Sequence, residues 1–193
     1  MLTSKAKAGE VLSTSVVTQT GTHDGMRGGG VFTVQCRDKD GSLKWEAKSP
    51  NLVVNVGLKD MNEEYFTGSA YTATWFIGLY GAGASNNPAA GDTMSSHAGW
   101  VEVTAYSQAT RPAATFGTAT TADPSVISNS ASVAVFTING TTTVGGAFLT
   151  SNNTKGGTTG TLFSASDFTA PGDRSVVNGD TLNVLYSFSL DAA

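Results

Sequence analysis

Residues 43–81, LKWEAKSPNLVVNVGLKDMNEEYFTGSAYTATWFIGLYG, decide how this chain is read. They open on LKWEA, the return strand of a hairpin. Ser49-Pro50 stops that strand, since proline lacks the amide a ladder needs, and Asn51 is placed to cap a helix. Val54, Leu58, Met61 and Tyr65 then recur at i, i+4, i+7 and i+11, with Lys59, Asp60, Asn62 and Glu63 off the stripe. This spacing predicts one amphipathic helix, which Gly68 closes. Gly57 in its first half predicts close packing on a sheet. Residues 72–80, TATWFIGLY, are too apolar for a half-solvated strand and predict a central one. A single helix among strand patterns means all-β, not α/β.

Working outward, Val31-Phe32-Thr33-Val34-Gln35-Cys36 alternates and Asp40-Gly41 supplies the hairpin turn. Residues 1–30 read as an arm. Its segment 11–20, VLSTSVVTQT, has strand-forming residues, but 21–30, GTHDGMRGGG, holds five glycines and predicts a flexible joint. On the other side, strands are expected at 99–106, 113–118, 132–138, 143–149, 161–164 and 181–190. Asn139-Gly140 and Asn178-Gly179 are expected hairpin turns, and 81–93 and 151–160 polar loops. Leu182, Val184, Tyr186, Phe188 and Leu190 alternate without a fault. About eight to ten short strands with Gly-rich turns predict a β-sandwich of jelly-roll type with one short helix and an extended N-terminal arm. The expected division is an arm at 1–30 and a β-sandwich domain at 31–193.

Composition narrows the function. Among 193 residues only 13% are charged against 39% hydrophobic. The polar surface must then be Thr, Ser, Asn and Gly, which suits wide shared interfaces where buried charge is costly. A net charge of -4 and a pI near 5.0 argue against coating nucleic acid. No signal peptide and no apolar run of membrane-spanning length is seen, so no membrane partner is expected. The lone Cys36 lies in an apolar strand pattern and reads as a buried small hydrophobe.

The chemistry-bearing residues do not gather. Asp38-Lys39-Asp40-Gly41 starts like a calcium loop but lacks the later oxygen ligands, so it reads as a turn. His23 and His97 lie in separate expected loops without partners at ligand spacing. Gly28-Gly29-Gly30 and Gly81-Ala82-Gly83 lack the Lys-Ser/Thr of a phosphate loop. Glu63 and Glu64 are adjacent on a helix and diverge. Asp92, Asp123, Asp167, Asp173 and Asp180 sit by turns. Asn139-Gly-Thr and Asn152-Asn-Thr match glycosylation acceptors and read as turn residues. Trp75, Phe76 and Tyr80 read as core, and Trp100 as a residue that could instead stand at a loop rim. No catalytic, cofactor-binding or metal residue is expected, and the chain is not expected to be an enzyme.

Cys36-Arg37-Asp38-Lys39-Asp40-Gly41-Ser42-Leu43-Lys44-Trp45-Glu46, Asn51 to Leu58 (NLVVNVGL) and Trp75-Phe76-Ile77-Gly78-Leu79 carry a resemblance. So do AAGDTMSSHAGW at 89–100 with Glu102, Val103 and Tyr106, and Gly145-Gly146-Ala147-Phe148-Leu149 with KGGTTG at 155–160. Together they resemble small virion structural proteins of tailed bacteriophages, most like capsid cement or decoration proteins. The likeness spans most of residues 31–190 and concerns fold and packing, so no binding residue is carried over. It implies a protein of the virion head surface, assembled in the host cytoplasm, with the major capsid protein and itself (as homodimer or homotrimer) as partners. The alternative it implies is a tail-associated protein, an adaptor or a receptor- or glycan-binding module. That module would use loops 81–99 and 151–160 with Trp100 at the rim.

Overall fold

A computed structural model describes residues 25–68, 74–81, 87–168 and 172–192. Among the described residues the protein is all-β with one helix, α1 (Asn55–Thr67). One sheet runs β2 (Leu43–Pro50), β1 (Met26–Arg37), β12 (Thr181–Ala192), β6 (Ser125–Ser128), and β7 (Ala134–Thr137) also pairs with β12. The second runs β3 (Leu52–Val53), β10 (Leu162–Asp167), β9 (Gly146–Thr150), β4 (Trp75–Tyr80), β5 (Ala113–Ala114). A third ladder joins β8 (Thr142–Val144) to β11 (Arg174–Val176), and these pairings are antiparallel.

Strand period places the core. From Gly30 in β1 and up to Tyr186 in β12 every second residue is buried, and Phe32, Val34, Cys36, Leu182, Val184 and Tyr186 meet Ile77, Leu79, Leu149 and Phe163 of the second sheet in one cluster. The two sheets therefore face each other across a shared core. In the second sheet β9 is buried on both faces. Its outer face, with Phe148, meets Tyr80, Met94 and Trp100. This second apolar layer explains why β4 reads as continuously hydrophobic.

Neither Asn-Gly pair turns a hairpin. β7 pairs with β12 and β8 with β11 at the same residue offset, and between the two ladders the Ile138 N–H donates to Asp180 at 2.8 Å, the Gly179 N–H to Ile138 at 2.9 Å, and the Asp180 N–H closes a turn on Val177 at 3.0 Å. Asn139-Gly140 thus lies opposite Asn178-Gly179 where a single ribbon bends from one sheet to the other. Gly179 has φ +92°, a conformation that favours glycine. Beyond the bend, β9 pairs with β10, so the ribbon traverses both sheets.

The expected joint at 21–30 is strand from Met26 onward, with Gly28 opposite Leu190 and Gly30 opposite Phe188. A Cβ on Gly30 would lie 2.5 Å from the Tyr186 hydroxyl, so the glycine makes room for the β12 aromatic rings. Residues 1–24, with the expected arm segment 11–20 and His23, lie outside the described residues. Asn51 does not cap α1. Its Oδ1 accepts the Gly30 N–H at 2.6 Å and its Nδ2 donates to the Tyr186 hydroxyl at 2.8 Å. The expected strand at 99–106 makes only isolated bridges at Glu102 and Tyr106. The expected strand at 143–149 divides at Gly145, whose N–H goes to Tyr80 and whose carbonyl takes Phe168.

Where β6 gives way to β7, buried Asn129 completes the ladder with its side chain. Its Oδ1 accepts the Tyr186 N–H at 2.7 Å and its Nδ2 donates to the Val184 carbonyl at 3.1 Å. The break in the edge strand thereby leaves the Tyr186 N–H and the Val184 carbonyl of β12 paired.

Candidate functional site

The helix creates the main surface feature. Its first turn is fixed to the sheet: Val54 is buried and donates to the Phe163 carbonyl at 3.1 Å, and Asn55 donates to Ala90 at 2.8 Å. Gly57 is the buried residue of the helix, and a Cβ there would come 2.3 Å from the Phe163 carbonyl oxygen. The backbone of α1 therefore rests directly on β10. Its C-terminal half does not follow the sheet. Of the predicted stripe only Val54 and half-buried Met61 are covered; Leu58 is exposed, as is Tyr65 at 83%, and neighbouring Phe66 is 76% exposed. Gly68, at φ +64°, ends the helix as expected.

Between this half of the helix and the open side of the two sheets lies a groove of about 640 Å³. Met61, Tyr65 and Phe66 form one wall; Trp75, Phe163 and Phe188 belong to the floor; Met26 and Leu190 border it. The rings of the floor interlock: Phe163 meets Trp75 at 5.4 Å and Phe188 at 5.5 Å, both edge-on. Acidic Asp60 and Glu64 also line the groove. Burial, then the charges of Glu64 and Glu63, pushes the Asp60 carboxyl above its ordinary value. Such a surface can bury apolar side chains of a partner. Among the described residues that line it, none is a nucleophile paired with a base.

A second cavity, of about 360 Å³, is bordered by His97, Trp100, Glu102 and Gly156. Trp100, a candidate rim residue, is only 2% exposed, which overturns its place at a glycan-binding edge. Its indole N–H donates to Asp92 Oδ2 at 3.1 Å, its ring stacks on His97 at 3.8 Å, and it tilts against Tyr80 and Phe148. Asp92 also accepts the Ala89 N–H at 3.0 Å, so it holds a turn.

The remaining motifs resolve structurally. Asp38 Oδ1 accepts the N–H groups of Asp40 and Ser42, both at 2.9 Å, which makes the turn between β1 and β2. Asn152 Oδ1 accepts the Thr154 N–H at 2.7 Å in its own turn. Asp180 pairs with Lys44 at 2.6 Å. Cys36 is buried beside that pair, and burial, then the Asp180 charge, pushes its thiol up to about 11. Trp75 belongs to the groove as well as to the core, a double role its strand pattern could not separate. Among the described residues no group of three His, Cys, Asp or Glu is arranged to hold a metal ion.

Arg111 escaped the sequence reading altogether. It is 1% exposed, and its guanidinium binds both oxygens of Glu102 and the carbonyls of Asn152 and Gly157. Lys155 does similar work nearby, donating to the carbonyls of Tyr106 and Gln108 over the Tyr106 ring. These two cations fasten the irregular stretch 99–112 to the loop 151–160. No known family model, curated protein or solved structure matches this chain.

Proposed function

We propose that this protein is a structural component of a tailed-bacteriophage virion, a cement protein that binds the outer head surface and bridges neighbouring major capsid protein subunits. Its fold is read here as a jelly-roll type sandwich, a reading supported by the ribbon that traverses both sheets and by the core they share. Self-association as a dimer or trimer on a capsid symmetry axis is part of the same reading.

The observation that supports this role is the apolar face around the α1 groove. Tyr65 and Phe66 stand in solvent beside it, with Met26 exposed at its border. Exposed aromatic clusters of this kind mark interaction surfaces. A surface with few charges lowers the desolvation cost of a wide contact, and repetition on a symmetric shell adds avidity.

The test is retention on heads that lack the protein. Wild-type protein should co-sediment at many copies per head, and Tyr65→Ser/Phe66→Ser should lose occupancy at least about tenfold while keeping its fold. A handful of copies confined to one vertex, or no retention, would point to the tail-associated alternative or to neither.

A further inference from the structure

The groove beside α1 has a partner of suitable chemistry within the same chain. Met26 borders it and is the second described residue, so the 24 residues before Gly25 set out from its rim. After Leu2, the large apolar side chains of that segment are Val11, Leu12, Val16 and Val17. Nine residues carry the chain from Val17 to Met26, a reach of up to about 30 Å. The 13-residue α1 is about 20 Å long, so the segment can cover the groove from end to end. Charge agrees: Lys5 and Lys7 outnumber Glu10 in the first ten residues, and the groove is bordered by Asp60 and Glu64.

We propose that residues 11–17 of the same molecule seat in this groove in the free protein and cover Tyr65 and Phe66. Attachment at the rim makes docking intramolecular, which favours it over the same segment of another copy at ordinary concentrations. In the free chain the segment occupies the face that the cement reading turns to the capsid, and it must give up that face on binding. No capsid enters its test.

The experiment uses the full-length protein with two added thiols, Val17→Cys and Phe66→Cys, while Cys36 stays buried. Mild oxidation in dilute solution should link positions 17 and 66 within a monomer. The rate should exceed that of a Val17→Cys/Leu43→Cys control by about tenfold or more, because Leu43 lies at the other end of β1, opposite Arg37. Equal rates would overturn the proposal. So would disulfide-linked dimers whose yield rises with protein concentration, the signature of exchange between copies. A second arm removes residues 1–24 and follows binding of an apolar fluorescent dye. Dye fluorescence should rise several-fold, and a synthetic peptide of residues 8–20 should reverse the rise. Unchanged fluorescence would overturn the proposal, and if the shortened chain does not fold, the thiol pair decides.

Discussion

Arg111 and Glu102 meet inside the protein as a two-pronged pair, with Nε donating to Oε1 at 2.9 Å and Nη2 to Oε2 at 2.7 Å. Gly156 adds its N–H to the same carboxylate at 2.9 Å, so the pair joins two stretches that have little regular structure of their own. Removing one member strands a buried charge. Arg111→Met should therefore lower stability by about 3–5 kcal/mol, and adding Glu102→Gln should recover part of that loss. Urea unfolding midpoints of the two variants give the answer. A single variant that unfolds like wild type would mean the pair is dispensable.

The Lys44–Asp180 pair predicts a pH dependence. Burial pushes the Asp180 carboxyl up, but the Lys44 and Val177 hydrogen bonds outweigh it and hold the folded value below the ordinary one. Its contribution is therefore complete above the ordinary carboxylate range, near pH 4, and is lost as pH falls through the lowered folded value. Lys44→Met leaves a carboxylate that is 2% exposed without its cation, at a cost of about 1–3 kcal/mol at pH 7. The gap between variant and wild type should narrow as pH falls below 4. Urea titrations at pH 7 and pH 3 measure it, and a gap of constant size would count against this account.

Adjacent glycines in β1 should respond oppositely. A Cβ on Gly29 meets nothing within 4 Å, whereas on Gly30 it would strike the Tyr186 ring. Gly29→Ala should stabilise by about 0.5–1 kcal/mol, because it restricts the unfolded chain. Gly30→Ala should destabilise by about 1–3 kcal/mol through overpacking. If thermal melts showed both changes to be neutral, residues 28–30 would be a loose joint after all.

Cys36 should be inert in the native state. A thiol with its pKa pushed up to about 11 and no solvent contact offers almost no thiolate at pH 8. Its reaction with an aromatic disulfide reagent should be slower by about a thousandfold than in urea, tracking global opening. Prompt labelling of folded protein would contradict the buried position.

Local chemistry made some of this fold legible. Asp38 and Gly41 wrote the first turn, the alternation of Leu182, Val184 and Tyr186 wrote the last strand, and Gly68 wrote the helix end. Each signal acts within a few residues. What stayed hidden depends on distant partners. Asn139-Gly140 looks like a hairpin until Asn178-Gly179 is found across from it. Gly28 and Gly30 look loose until Phe188 and Tyr186 cover them. Arg111 sits in a polar run, and its partners lie 9, 41 and 46 residues away. The groove was half legible: the stripe Val54, Leu58, Met61, Tyr65 predicted a helix but not that only its first turns would be held down. Gly57 sets the contact by letting the backbone of α1 lie directly on that of Phe163.

The pairing of β1 with β12, Met26 with Ala192 through Arg37 with Thr181, has a kinetic consequence. On a translating ribosome the earliest described strand must wait for some 155 further residues before its central neighbour exists. Until then the β1 edge that will pair with β12 is bare and open to a sister nascent chain. Folding should therefore begin in earnest only once β12 has left the ribosome, and crowded polysomes should raise the yield of aggregate.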